Sequence, residues 1–148
     1  MELEKKEQKP HNVTRLVLAA LFFMMTGIGI ELYLLGHYED IWQLIPIIII
    51  LSSLFVLLLL IFKPSNFLAK FFNLLMLTTA LSGVLGIILH LKENFEFEQE
   101  MVPNLGTWEL FIESLSGALP SLAPASLIVL ALIGYTYTTL IKQQTHEH

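Results

Sequence analysis

Apolar residues fall into four blocks along the chain, each close to the roughly 20 residues that a helix needs to cross a hydrocarbon core of about 30 Å. The pattern predicts helical spans over residues 13–36, 41–62, 66–91 and 116–141, with an outer loop over 92–115. Polar punctuation sets the joints. His37 to Asp40 is too short for anything but a tight hairpin, and Asp40 is placed to cap the second span, with Gln43 three positions later. Lys63-Pro64-Ser65 stops that span and Ser65 can cap the third. Pro46, just beyond the first turn of the second span, predicts a modest kink.

Inside the outer loop, Pro103-Asn104-Leu105-Gly106 reads as a turn and Thr107 as the cap of a short helix. Trp108, Phe111, Ile112 and Leu115 follow at amphipathic spacing, as expected of a helix at the membrane surface. The alternation Asn94-Phe95-Glu96-Phe97-Glu98 fits a short strand or a continuation of the third helix, and reads foremost as an interfacial segment with its aromatics in the headgroups. The expected fold is all-α: one membrane domain over residues 1–148, a four-helix transmembrane bundle with a short interfacial helix between spans three and four.

Helices in lipid associate through close packing and hydrogen bonds, because lipid is as apolar as leucine. Gly29 and Gly36 in the first span, Ser82 and Gly86 in the third, and Gly117, Ser121 and Ala125 in the fourth therefore mark contact faces. They suit bundle packing first and a homo-oligomer interface second. Pro120 and Pro124 fall in the first third of the expected fourth span, where they predict a kink and carbonyls in need of a donor.

Composition sharpens the outline. Of 148 residues 55% are hydrophobic and 14% charged, against roughly 25% charged in ordinary soluble domains. That excess of apolar surface needs the lipid bilayer as a partner. Residues 1–15 are charged and lead into an apolar run too long for a signal-peptide core, so the first span is read as retained. The absence of cysteine excludes disulfides, thiolate zinc sites, iron–sulfur clusters and covalent haem attachment. A net charge of −5 counts against nucleic acid. Lys5, Lys6, Lys9, Arg15, Lys63, Lys70 and Lys142 fall on the side of the termini and Lys92 alone on the other. Seven against one predicts a multi-pass protein with cytoplasmic N- and C-termini.

Nine of the thirteen acidic residues, Glu31 among them, are then outside or in the outer leaflet. Glu31 lies about 24 Å above Arg15 at about 1.5 Å per residue, so its carboxylate should be protonated, paired, bound to a cation or turned into a wet cavity. His37 and His90 end spans one and three at similar depth, and in a continuing helix His90, Glu93 and Asn94 share a face. Glu31, His37, His90, Glu93 and Asp40 together suit a divalent metal ion such as zinc, iron or manganese, with affinity that weakens as pH falls through about 6.5. Neither the paired Glu-x-x-His of di-iron bundles nor His-Glu-x-x-His is present. Two histidines at one level could also ligate haem, though the nearby carboxylates suit a cation better. No catalytic residues are assigned. The pattern favours a non-enzymatic binding or transport-accessory protein with a cation- or proton-binding site at the outer surface. Its rival is a structural subunit whose acidic outer loop docks another membrane protein. A membrane enzyme acting on lipid or quinone has only scattered carboxylates and imidazoles behind it.

The run Glu31-Leu32-Tyr33-Leu34-Leu35-Gly36-His37-Tyr38-Glu39-Asp40, with Trp42-Gln43, Pro46, Asn94 through Glu98, Pro120 and Ala123-Pro124, resembles a family of small four-span proteins of the bacterial inner membrane. The resemblance covers most of the chain. It implies a bacterial origin and the four-span fold, and it carries no catalytic or ligand role for any residue.

Overall fold

Five helices make up the computed structural model, which describes residues 2–146 and the side chains of 12–144: α1 (Glu2–Leu34), α2 (Ile41–Phe62), α3 (Asn66–Met101), α4 (Thr107–Leu115) and α5 (Ala125–His146). Four of them contain stretches long and apolar enough to cross a membrane, Asn12–Leu34, Ile41–Phe62, Asn66–Met101 and Ala125–Gln144. The all-helical, four-span expectation is met.

Two helix starts form as the local sequence dictates. The Asp40 carboxylate accepts from Trp42 N at 2.7 Å and Gln43 N at 3.0 Å, while the Gln43 amide oxygen reaches back to Glu39 N. Ser65 Oγ accepts from Leu68 N at 3.1 Å. At α4 the cap is Gly106 rather than Thr107, and the Glu109 carboxylate accepts from Gly106 N at 3.2 Å. Thr107 instead occupies the first helical position.

Two boundaries differ from the hydropathy reading. The third helix does not stop at residue 91 but continues unbroken to Met101, taking the Asn94–Glu98 alternation into the helix. Neither glycine nor proline interrupts residues 87–102, and Lys92 pairs with Glu96 one turn on at 3.3 Å. Pro103 ends it, since the residue before a proline is pushed out of the helical region. The fourth long helix begins at Ala125, not at 116. Pro120 and Pro124 disfavour helical geometry at Leu119 and Ala123, so the chain makes tight turns, Ala123 N to Pro120 O and Ala125 N to Leu122 O, before α5 can start.

The four long helices run alternately up and down in a square, with α1 beside α2, α2 beside α3, α3 beside α5 and α5 beside α1. Among the described residues, diagonal pairs do not touch along their lengths. Leu21, Met25, Leu57, Leu60, Phe72, Met76 and Leu130 fill the interior. Polar contacts tie the helices near the termini: Thr138 Oγ1 donates to Asn73 Oδ1 at 2.7 Å and Gln144 Nε2 to Thr14 Oγ1 at 2.9 Å. At the distal end, Pro124 seats against Gly83 and Gly86, where an added Cβ would come within 2.8 Å of it. Gly86 is thus a contact residue as its size predicts, and Gly83 joins it against Pro124. The seam between α1 and α2 is looser. A groove of about 300 Å³ opens there between Gly29, Tyr33, Ile50 and Leu54.

Candidate functional site

The end of α1 is built to turn His37 inward. Gly36 takes φ +68°, a left-handed conformation that side chains with a Cβ rarely adopt. Its N–H donates to Tyr33 O at 3.1 Å and the His37 N–H to Leu32 O at 2.9 Å, the paired bonds of a Schellman stop. Gly36 therefore serves the turn, not a helix contact as its size alone suggested; open space surrounds it.

His90 approaches from α3. Its Nδ1 lies 3.3 Å from Pro120 O in the loop before α5. A carbonyl can only accept, so this bond requires the proton on Nδ1 and leaves the Nε2 lone pair of the neutral ring available. The His37 and His90 ring centroids are 6.1 Å apart, edge to face at 67°. Burial, and next the facing His90, hold His37 below its ordinary value of 6.5, while Asp40 and Glu93 pull the other way. The facing rings disfavour a charge on both at once.

Three of the five residues expected at the site do not join the rings as ligands. Asp40 is close enough to act on His37 through its charge, but Oδ1 is engaged by the two backbone donors of the α2 cap. Glu93 likewise acts by charge and is exposed. Glu31 shares the exposed flank of α1 with Gly27, Leu34 and Leu35, and no described residue bonds to its carboxylate. Glu31 therefore stands apart from the imidazole pair on an outward face. Among the described residues no three histidine, aspartate or glutamate side chains converge on a metal position.

A residue read only as a neighbour of His90 proves to be the organiser. Asn94 is 2% exposed, and the two hydrogens on its Nδ2 are shared among Ser114 O at 3.0 Å, Leu119 O at 2.7 Å and Ser121 Oγ at 2.9 Å. Its Oδ1 accepts from Leu119 N at 3.0 Å. Gly117 leaves room for the amide, since a Cβ there would lie 2.6 Å from Asn94 Cγ. These bonds fix the loop that carries Pro120 to His90. The helical spacing of His90 and Asn94 put them on one face, and the cluster of small residues at Ser114, Gly117 and Ser121 was the other available signal.

About 20 residues, the length of one span, separate Arg15 from Leu35, Lys70 from His90 and Lys142 from Leu122. The imidazole pair therefore falls level with one rim of an apolar slab, beside Tyr33, Tyr38 and Trp42, residues of the kind that belt membrane surfaces. No family model, curated protein or solved structure matches the chain.

Proposed function

We propose that this chain is a non-enzymatic binding or transport-accessory protein of a bacterial inner membrane, with both termini cytoplasmic and a proton-binding pair, His37 and His90, at its outer surface. The observation behind it is the meeting of an imidazole from the α1–α2 turn with one from α3. The excess of lysine and arginine at the other end supports the orientation. A single proton is tolerated. A second sets two positive charges about 6 Å apart, and their repulsion loosens the α1–α2 turn from the loop before α5.

The sign follows from the lowered value at His37, whose neutral form the fold favours. Its contribution to stability is present above pH 6.5 and is lost as pH falls through the lowered value, because the unfolded chain binds the proton first. Imidazole NMR of the full chain in micelles should show His37 titrating below 6.5, and His90→Gln should raise it. Amide protection over residues 35–40, taken relative to the intrinsic exchange rate at each pH, should fall with acid in the native chain and much less in His90→Gln. A His37 that titrates at its ordinary value and ignores the substitution would sink the reading. Zinc or manganese titrated into the same sample tests the cation alternative: saturable shifts of both rings would make a divalent ion the ligand in place of the proton.

A further inference from the structure

α4 is amphipathic, yet the bundle buries its other side. Leu110 and Ser114 turn toward α3, Ser114 by way of the Asn94 bonds. Trp108, Ile112 and Leu115, one stripe at helical spacing on the far side, remain 71, 45 and 41% exposed. Phe111 braces the indole, with ring centroids 5.6 Å apart. An apolar stripe held outward by the fold is a surface awaiting a cover, and tryptophan is among the residue types enriched at the energetic centres of protein contacts.

Charge decides among the covers. Glu109 and Glu113 are exposed on α4 itself, and the distal part of α3 carries Glu93, Glu96, Glu98 and Glu100. Lys92 is the one basic residue between 71 and 141, and Glu96 already engages it. Helices that lie among headgroups carry lysine and arginine on the polar face, and α4 has neither. A second copy would set one acidic face against another. Height argues the same way. Ser114 is level with Asn94, one turn beyond His90, and Trp108 is about 9 Å further out along α4 at about 1.5 Å per residue.

We propose that the Trp108–Ile112–Leu115 face docks an amphipathic segment of a partner protein whose apolar side chains are flanked by lysine or arginine. Complementary charge steers such a segment to the hairpin, and the stripe supplies the contact that holds it. The surface acts independently of the imidazole pair.

The test uses the full chain in phosphatidylcholine nanodiscs and two labelled helical peptides, one of leucine and lysine, the other of leucine and glutamate. The lysine peptide should bind saturably beyond its binding to empty discs. The double variant Trp108→Ser, Ile112→Ser should weaken it about tenfold or more. Both side chains are exposed in the native chain, so helix content should be unchanged. Raising salt from about 0.1 to about 1 M, which shortens screening from about 10 to about 3 Å, should weaken it as well. The glutamate peptide should not bind, and His90→Gln should bind the lysine peptide as the native chain does, which keeps this proposal separate from the first. Equal binding to empty discs would mean that the peptide takes the bilayer and not the α4 face. Cross-linking of Ile112→Cys between two copies would assign it to self-association. Either result overturns the proposal, as does binding that survives the double substitution.

Discussion

At the scale of single residues, Asn94 concentrates four hydrogen bonds on one buried amide. Asn94→Leu keeps the branching of the side chain but strands the Leu119 N–H and the Leu119 carbonyl, while the Ser114 carbonyl still accepts from Ser121 Oγ; each stranded buried group costs about 1–3 kcal/mol. We expect a loss of about 2–4 kcal/mol in reversible unfolding, because partners in one network fail together. Asn94→Asp should fall between, keeping the acceptor for Leu119 N and losing the donors. An unchanged unfolding midpoint for Asn94→Leu would remove the residue from its central role. The sequence shows caps and hides hubs for one reason, distance along the chain. Asp40 and Ser65 bond within three residues, where spacing alone is diagnostic. Asn94 bonds 20 to 27 residues away, and nothing local distinguishes it from a surface asparagine. Glu31 shows the converse. Depth could be counted from Arg15, but the direction of the side chain depended on which face of α1 the other helices cover, and they cover that of Leu21, Met25 and Ile28.

At the scale of elements, the joints were more legible than the helix ends beyond them. Hydropathy located each apolar block, yet it averages over prolines. Residues 116–124 therefore read as part of a span, although Pro120 and Pro124 delay the helix to Ala125. It also treated residues 92–101 as loop because they are charged, while the helix propagated through them for want of a breaker. The irregular stretch has a purpose in the packing: without it Pro124 could not press against Gly83 and Gly86, nor Pro120 present its carbonyl to His90. Gly86→Leu should therefore act beyond its own position. An added Cβ meets the Pro124 ring at 2.8 Å, so the loop must lift. Overpacking of this kind costs about 1–3 kcal/mol. The lift should also separate His90 from Pro120 and return the His37 titration toward its ordinary value. Gly29→Ala makes a fair control, because its Cβ would meet only Ile50 at an ordinary 3.8 Å. Equal effects from the two would mean that the contact with Pro124 does not govern the distal end.

At the scale of the whole molecule, an up-and-down square with short joints fixes one relation before any chemistry: the α1–α2 turn and the segment from His90 to Leu122 share one end, and the termini share the other with the Lys63 joint. Which end faces the cytoplasm is a matter of charge. Seven of eight basic residues lie at the end of the termini, and basic segments are retained on the cytoplasmic side. Reporter enzymes active only inside the cell, fused after Lys63 or at the C-terminus, should be active, and those active only outside should work when inserted at residues 98–103. The insertion point must respect the fold. Helix α3 runs to Met101, so a reporter at Glu98 would break a helix whose next turn down carries Asn94, whereas one between Val102 and Gly106 enters a turn. The two insertions should report the same side with different yields, poorer at Glu98. A cytoplasmic signal from the turn insertion would reverse the orientation. It would place the imidazole pair and the α4 face inside the cell, and with them the source of the protons and the partner.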